Sequence, residues 1–269
     1  MNRIDERFAS LRKAKKAAFI PYLTIGDPSV DISFEIIKEL VAAGADCIEL
    51  GVPYSDPLAD GPIIQRAAQR ALENEINIPV VLSLAKRCRE AGITIPLILF
   101  TYYNPILQMG IENAMELFLA HQIDGLIIPD LPVEECEEVR DAAQARGLHI
   151  IPLVAPTSND RVAKIVSSAS GFVYCVSSLG VTGTRTSFFE GIDSFLDFVR
   201  QSTDLPICVG FGISNHDQYK YFSTRCDGII VGSAIVRTVE EALELLKSDS
   251  DREQGLAHVR QFLTQLVHA

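Results

Sequence analysis

Two carboxyl side chains, Glu49 and Asp60, are the strongest candidates for chemistry in this sequence. Glu49 lies inside the apolar run "DCIELGV", among neighbours typical of a core, and Asp60 follows in the turn-rich segment "PYSDPLADGP". A buried acid is costly unless it is paired or neutralised, so the position of Glu49 asks for a reason. Two acids in unlike environments can take separate proton-transfer roles, the buried one with a raised pKa. The pair therefore predicts acid-base catalysis.

Each acid also has a purely structural interpretation. Glu49 could be half of a buried salt bridge, and Asp60 could cap a helix that begins near Pro62. The choice depends on the elements that carry the two residues, because acids at the carboxyl ends of barrel strands are enriched in active sites.

Other catalytic groups are placed less favourably than the two acids. Every lysine falls on a predicted helix or at a helix end, so none is positioned to form a Schiff base inside a barrel. The histidines are scattered, without a second ligand at metal-binding spacing, so no metal site is predicted. The remaining possibility is acid-base catalysis by carboxyl groups, without a cofactor.

Three glycine-rich segments late in the chain predict a phosphate site. They are "SSLGVTGTR" (177–185), "GFGIS" (210–214) and "GSAIV" (232–236), the last opening a helix at Ser233. Glycines after late barrel strands expose backbone N–H groups at a positive helix end, which favours an anion. Gly180 and Gly183 flank Thr182 in a segment suited to a lid. Any one of these glycines could also simply serve a tight turn.

Eight short apolar runs recur along the chain and predict strands. Each is nearly continuous in Val, Ile, Leu and small residues, as expected for parallel strands buried on both faces. Three of the runs follow an aspartate, in "AGADCIELG", "HQIDGLIIP" and "TRCDGIIVG", which indicates a repeated unit. The runs cover residues 17–23, 46–52, 96–102, 124–130, 149–155, 171–177, 206–212 and 227–233.

Helical patterns separate these runs, and together they predict one fold. Eight strand-helix units in 269 residues indicate a single (β/α)8 TIM barrel, one domain over 1–269. The segment "IDERFASLRKAKK" is predicted as an extra helix across the bottom, with further helices around Ile63–Glu73 and Leu256–Leu266. A doubly wound open sheet is disfavoured because no G-x-G-x-x-G follows the first strand.

Composition excludes several classes of function. A formal net charge of -11 disfavours nucleic acid and anionic membrane surfaces, and no stretch approaches the roughly 20 apolar residues of a membrane span. The N-terminus is not a signal peptide, so we expect a soluble, cytoplasmic protein. The six cysteines are dispersed, which favours reduced, buried thiols.

The sequence resembles the tryptophan synthase alpha chain family over essentially its whole length. The matching motifs are long, and in chain order they are "IPYLTIGDPS", "IELGVPYSDPLADGP", "FTYYNPILQMG", "IIPDLPVEE", "VSSLGVTGTR" and "VGFGIS". The resemblance implies a TIM barrel that cleaves indole-3-glycerol phosphate to indole and D-glyceraldehyde 3-phosphate. It also implies an alpha2-beta2 heterotetramer in which the beta chain, and not this chain, carries pyridoxal phosphate (PLP).

The resemblance also implies roles for individual residues. The family's catalytic pair corresponds to Glu49 and Asp60. Many members carry arginine where this chain has Ser178, so this chain lacks any lid contact that such an arginine makes. The substrate-binding positions are Tyr22, Ile64, Phe100, Ile127, Tyr174, Thr182 and Phe211. The phosphate-binding positions are Gly183, Gly212, Gly232 and Ser233.

A partner surface is predicted beside this site. The segments "YSDP" (54–57) and "YYNP" (102–105) rim the same face, although ordinary loop packing would also suit them. The predicted partner contacts are Asp56, Pro57, Tyr102, Asn104 and Pro132. Two alternatives stay open, a free-standing indole-glycerol phosphate lyase and a mainly regulatory interaction subunit.

Overall fold

The chain folds around a parallel β-sheet. The computed structural model describes residues 2–176, 191–210 and 212–268, without the side chains of residues 159 and 160. All strand pairs are parallel, and β1 lies between β2 and β9 in the sheet order. The strands are β1 Ala18–Thr24, β2 Ile48–Gly51, β3 Leu97–Phe100, β4 Gly125–Ile127, β5 His149–Ile150, β6 Leu153–Val154, β7 Val173–Val176, β8 Ile207–Gly210 and β9 Gly228–Val231.

The sheet closes into a barrel through the segment that holds β5 and β6. β5 pairs with β4, β6 pairs with β7, and between them Ile151 N–H donates to Leu126 O while Pro152 O accepts from Tyr174 N–H. The predicted fifth strand thus corresponds to β5 and β6 together. It is split into two short strands because Pro152 has no backbone N–H to donate to a neighbouring strand. The prediction of a (β/α)8 barrel is confirmed, and the open-sheet alternative is wrong.

Helices surround the barrel and lie close to their predicted positions. The predicted extra helices at 63–73 and 256–266 are α3 and the longer α13. The described helices are α1 Arg3–Ala14, α2 Val30–Ala42, α3 Pro62–Glu73, α4 Ile78–Glu90, α5 Tyr103–Met109, α6 Ile111–Ala120, α7 Glu137–Gln144, α8 Val162–Ser167, α9 Ile192–Ser202, α10 His216–Ser223, α11 Ser233–Glu241, α12 Leu243–Lys247 and α13 Arg252–His268. A 3-10 helix, Pro156–Arg161, precedes α8.

Side chains alternate between two buried clusters along each strand. Ile48 and Leu50 of β2 belong to the cluster between sheet and helices, whereas Cys47 belongs to the cluster inside the barrel. Period-two alternation then directs Glu49 to the interior as well. This explains why an acid stands in an apolar run: both faces are buried, and its neighbours face the helix layer.

Helix α1 covers the N-terminal end of the barrel, as predicted. Its apolar residues Ile4, Phe8 and Leu11 belong to the interior cluster. Asn2 caps the helix and its Nδ2 donates to Asp124 O and Gly147 O at that end of the barrel. This end is therefore packed shut, which leaves the carboxyl ends of the strands for a site.

The repeated aspartates before β2, β4 and β9 have one shared structural role. Each accepts a backbone N–H from the neighbouring strand: Asp46 from Phe19 (2.7 Å), Asp124 from Leu97 (2.9 Å) and Asp227 from Ile207 (2.8 Å). Each also pairs with arginine. The sequence repeat thus reflects how neighbouring strands are held at the N-terminal end.

Two further sequence expectations concern the cysteines and membranes. All six cysteines are buried and unpaired, which confirms the expectation of reduced thiols. Among the described residues, no helix has the length and apolar character needed to cross a bilayer.

Candidate active site

A cavity opens at the carboxyl ends of the strands, opposite α1. It joins residues that are far apart in sequence, from β1, β2, β3, β7 and β9, from α3 and the loop before it, and from the segments that follow β8 and β9. Its lining side chains are mostly apolar, with two acids among them. The lining residues are Tyr22, Glu49, Asp60, Ile64, Phe100, Tyr174, Gly212, Ile213, Ile230, Gly232 and Ser233.

Glu49 is a buried acid without a cation. It lies on β2 beside Tyr22 of β1 in the strand register, and only 1% of it is exposed. Its Oε1 has no hydrogen-bond partner within the described residues. Burial raises the pKa of Glu49 well above its usual value, which favours the neutral carboxyl group. The salt-bridge interpretation finds no support among the described residues, where Glu49 forms no ion pair.

Asp60 lies in the loop between β2 and α3, and 7% of it is exposed. Burial raises its pKa to about 6, against the nearby Tyr102 hydroxyl, which lowers it. The cap of α3 is Gly61, which forms no side-chain cap bond, so the helix-cap interpretation of Asp60 is wrong. Gln65 Nε2 donates to the Asp60 backbone oxygen at 2.7 Å and fixes the chain there. Asp60 itself is one of the residues that line the cavity.

Two tyrosines reach into the site next to glycines. A Cβ on Gly51 would lie 2.2 Å from the Tyr22 hydroxyl, and one on Gly210 would lie 2.3 Å from the Tyr174 hydroxyl. Burial, with Glu49 nearby, raises the pKa of Tyr174 well above its usual value, so the hydroxyl stays protonated. Glycine at the ends of β2 and β8 therefore makes room for two hydrogen-bonding groups beside the acids.

Three of the predicted phosphate positions, Gly212, Gly232 and Ser233, line the cavity. Gly232 is the N-cap residue of α11, Ser233 is its first residue, and Gly212 has a φ of 102° that favours glycine. The first N–H groups of a helix have no partner within it, and the helix dipole adds positive potential there. No lysine or arginine lines the cavity within the described ranges. Backbone N–H groups are thus the anion-binding groups this geometry offers.

The remaining predicted residues divide into two groups, and two further residues line the cavity. Ile127 is fully buried in the interior cluster but is not among the lining residues. Thr182, Gly183 and Phe211 lie outside the described residues, as does Ser178. Ile213 and Ile230 line the cavity and were not predicted, although both stand inside glycine-bearing runs, "GFGIS" and "DGIIVGS", that the sequence already singles out.

The predicted partner surface is exposed except at one residue. Asp56, Asn104 and Pro132 are exposed and Pro57 is half-buried. Tyr102 is only 2% exposed, so its side chain is not a surface contact; it packs beneath the loop that carries Asp60. Leu58, which was not predicted, is 81% exposed in that loop.

Comparison with known proteins gives one consistent family. Residues 8–265 match the family model described as tryptophan synthase alpha chain. The tryptophan synthase alpha chain of Geobacillus sp. (strain WCH70) is 47% identical over 252 residues, 94% of this chain and 96% of that protein. That of Halalkalibacterium halodurans is 46% identical over 261 residues, 97% of this chain and 98% of that protein.

Solved structures agree with the sequence relatives. A structure of Mycobacterium tuberculosis tryptophan synthase superimposes with a TM-score of 0.87 at 34% identity, covering 98% of this chain and 96% of that chain. The crystal structure of tryptophan synthase subunit alpha from Legionella pneumophila gives a TM-score of 0.86 at 35% identity, covering 98% of both chains.

Proposed function

The chain belongs to the tryptophan synthase alpha chain family, and on that premise we propose that the cavity at the strand ends is its active site. The family's reaction is the retro-aldol cleavage of indole-3-glycerol phosphate to indole and D-glyceraldehyde 3-phosphate, in tryptophan biosynthesis. Glu49 and Asp60 are its catalytic residues in this proposal. The observation that carries it is a buried Glu49, whose Oε1 has no hydrogen-bond partner within the described residues, lining the same cavity as Asp60.

Glu49 suits the role of a proton shuttle. Because its pKa is raised, its neutral carboxyl group can donate a proton to indole C3. The resulting carboxylate then takes the proton from the glycerol hydroxyl next to C3. The carbon-carbon bond breaks, its electron pair returns to the ring, and the aldehyde leaves. The donated proton remains on C3 of indole, and Glu49 is neutral again.

Asp60 suits the complementary role. With a pKa of about 6 it is mostly ionised at pH 7, so it can accept a hydrogen bond from the indole N–H. Protonation at C3 puts positive charge on the ring, and a carboxylate fixed beside the N–H stabilises that charge in the transition state. Two carboxyl groups with different surroundings thus take different roles.

The rest of the cavity suits the substrate's two ends. Ile64, Phe100, Ile213 and Ile230 supply apolar walls for a ring, and Tyr174 lies beside Glu49. Gly212, Gly232 and Ser233 at the start of α11 suit the phosphate. Tyr22 belongs to the same wall, and the family resemblance adds Ile127, Thr182, Gly183 and Phe211 to the binding positions.

The family also supplies a partner. The chain is an alpha subunit, its partner is the beta chain, and the PLP belongs to that chain. We propose an alpha2-beta2 assembly in the cytoplasm, with residues 1–269 as one domain. Asp56, Pro57, Asn104 and Pro132 would contact the beta chain together with Leu58, whose exposed apolar side chain favours a covered surface over a free-standing lyase.

The test is indole release from indole-3-glycerol phosphate, with and without a beta chain. We expect basal cleavage that the beta chain increases. Glu49→Gln keeps the side-chain shape but removes the proton shuttle, so cleavage should fall by at least the ~10²-fold typical of a lost acid-base group. Turnover within a factor of two of the parent would reject Glu49 as the shuttle. A parent chain without basal turnover would favour a regulatory subunit.

A further inference from the structure

One network of charged side chains joins three elements that surround the cavity. Glu240, in the last turn of α11, accepts hydrogen bonds from two arginines of α3. Arg66 Nε and Nη2 donate to its two carboxylate oxygens at 2.8 and 2.7 Å, and Arg70 Nη1 donates to Oε1 at 2.8 Å. Arg70 Nε and Nη2 donate to the two oxygens of Asp27, in the loop after β1, at 2.8 Å each. The network therefore ties α3 to α11 on one side and to the loop after β1 on the other.

Each of these elements also gives the cavity a lining residue. Ser233 is the first residue of α11, Ile64 lies in the first turn of α3, and Tyr22 lies on β1. In the proposed function Ser233 serves the phosphate and Ile64 serves the ring. The contacts between α3 and α11 thus connect the helix that serves the phosphate to the helix that serves the ring.

The network is strong because it is charged, bidentate and partly buried. Asp27 is 1% exposed, and the side chains of Arg70 and Glu240 are 21% and 22% exposed. The hydrogen bonds from Arg66 and then Arg70 lower the pKa of Glu240 to about 2, so its carboxylate stays ionised near neutral pH. A bidentate arginine–carboxylate pair fixes both the distance and the orientation of its partners. These contacts therefore restrict how α11 can slide or turn against α3.

We propose that Glu240 is a positioning residue that sets the spacing between the phosphate and ring subsites. The inference rests on the proposed function and deepens the assignment of Ser233 and Ile64. Ser233 lies about two helical turns, or 10 Å, from Glu240 along α11, so the helix carries a shift at one end to the other. The glycerol chain that joins indole to phosphate has a limited reach, so both ends bind together only when the subsites keep their spacing.

The test is Glu240→Gln in the full-length chain, which keeps the side-chain shape and removes the charge. We expect KM for indole-3-glycerol phosphate to rise about 5-fold, as for residues that act through a packed element, with kcat within about a factor of two. Glycerol phosphate lacks the ring and does not span the two subsites, so its affinity in calorimetry should stay close to that of the parent. Loss of stability alone would not separate the two ligands in this way.

The matched control is Glu39→Gln. Glu39 of α2 accepts hydrogen bonds from Arg260 Nε and Nη2 of α13 at 2.7 Å each, the same bidentate geometry. The side chains are similarly exposed, 15% for Glu39 against 22% for Glu240, and among the described residues neither α2 nor α13 lines the cavity. We expect both variants to lose similar stability in urea unfolding, while only Glu240→Gln raises KM.

Arg66→Gln provides a second variant, at a side chain that is 52% exposed and therefore unlikely to be needed for folding. It should also raise KM. The double variant with Glu240→Gln should raise KM no further than Glu240→Gln alone, because Arg66 acts through Glu240.

The outcomes separate this inference from the proposed function. A parent-like KM in both single variants would overturn the inference alone. So would an equal rise of KM in Glu39→Gln, an equal loss of glycerol phosphate affinity in Glu240→Gln, or independent, multiplying effects in the double variant. Failure of the proposed function has a different signature: Glu49→Gln would keep full turnover while the KM difference between Glu240→Gln and Glu39→Gln persisted.

Discussion

At the scale of single residues, the surroundings of Glu49 and Asp60 shift their pKa values to different extents. Glu49 lies inside the barrel, and burial is the resolved cause of its raised pKa. Asp60 is also desolvated, but the nearby Tyr102 hydroxyl opposes that effect, and its pKa is raised only to about 6. Burial thus favours the neutral form of Glu49, whereas Asp60 is mostly ionised at pH 7, which matches a proton donor beside an acceptor of the indole N–H.

The pH dependence of kcat/KM should report both groups. As pH falls below about 6, Asp60 takes up a proton and can no longer stabilise the charged ring, so kcat/KM should decline. As pH rises through the raised pKa of Glu49, the proton donor is lost and kcat/KM should decline again. Steady-state indole release across the pH range checks this. An acid limb near the ordinary aspartate value would contradict the role of Asp60.

At the scale of elements, the aspartates before β2, β4 and β9 bind neighbouring strands at the end opposite the site. Asp124 is the most buried example: its side chain is 4% exposed and pairs with Arg89, which is 6% exposed. Asp227 has the same role, but its side chain is 31% exposed and its partner Arg200 is 43% exposed. Asp124 also pairs with Arg3, which is 37% exposed, so the two sites compare a buried set of aspartate contacts with a more exposed one.

Asp124→Ala should lower the free energy of unfolding more than Asp227→Ala. Loss of Asp124 leaves the Arg89 charge buried with an unpaired Leu97 N–H, a loss of about 3–5 kcal/mol. Loss of Asp227 should lower the free energy of unfolding by about 1–2 kcal/mol, because water can solvate the exposed Arg200 guanidinium once its carboxylate partner is gone. Urea unfolding of both variants measures the difference. Equal losses would show that burial does not decide the strength of these contacts.

Gly212 lies in the segment between β8 and α10. Gly212→Val adds a side chain at the predicted phosphate site and also strains a backbone with φ of 102°. Gly44→Val is the matched control, since Gly44 has a φ of 94° and a Cβ there would meet no atom within 4 Å. Both variants should lose stability, but only Gly212→Val should lose affinity for glycerol phosphate in calorimetry. Unchanged affinity in that variant would place the phosphate elsewhere.

The elements were more predictable from the sequence than their loop contacts. Doubly buried strands leave continuous apolar runs, so the barrel could be predicted from the eight runs and the place of Glu49 on a strand from "DCIELGV". The break at Pro152 depends on the pairing of β5 with β4 and of β6 with β7. The apolar run at 149–155 does not by itself specify these pairings. Tyr102 likewise reads as surface in "YYNP", because its burial depends on how a loop distant in sequence folds over it.

At the scale of the whole molecule, one loop serves both the site and the predicted partner surface. Residues 52–60 carry Asp56, which is exposed, and Asp60, which is buried at the cavity. We therefore expect a ligand that changes how Asp60 is held to change the surface that Asp56 presents. Thermodynamic linkage requires ligand and beta chain to favour each other by the same factor, typically about 1–3 kcal/mol.

Asp56→Ala should reduce activation by the beta chain more than it reduces basal cleavage, because Asp56 is exposed, does not line the cavity, and is proposed to contact the partner. A local role is the competing explanation, since Ser55 Oγ donates to Asp56 Oδ2 at 2.6 Å within the turn. Ser55→Ala is the matched control: it removes that hydrogen bond and keeps the carboxylate. Beta-chain affinity is titrated with and without glycerol phosphate in parent and both variants. We expect Asp56→Ala to lose the ligand-induced gain and Ser55→Ala to keep it; equal losses would assign Asp56 to the turn.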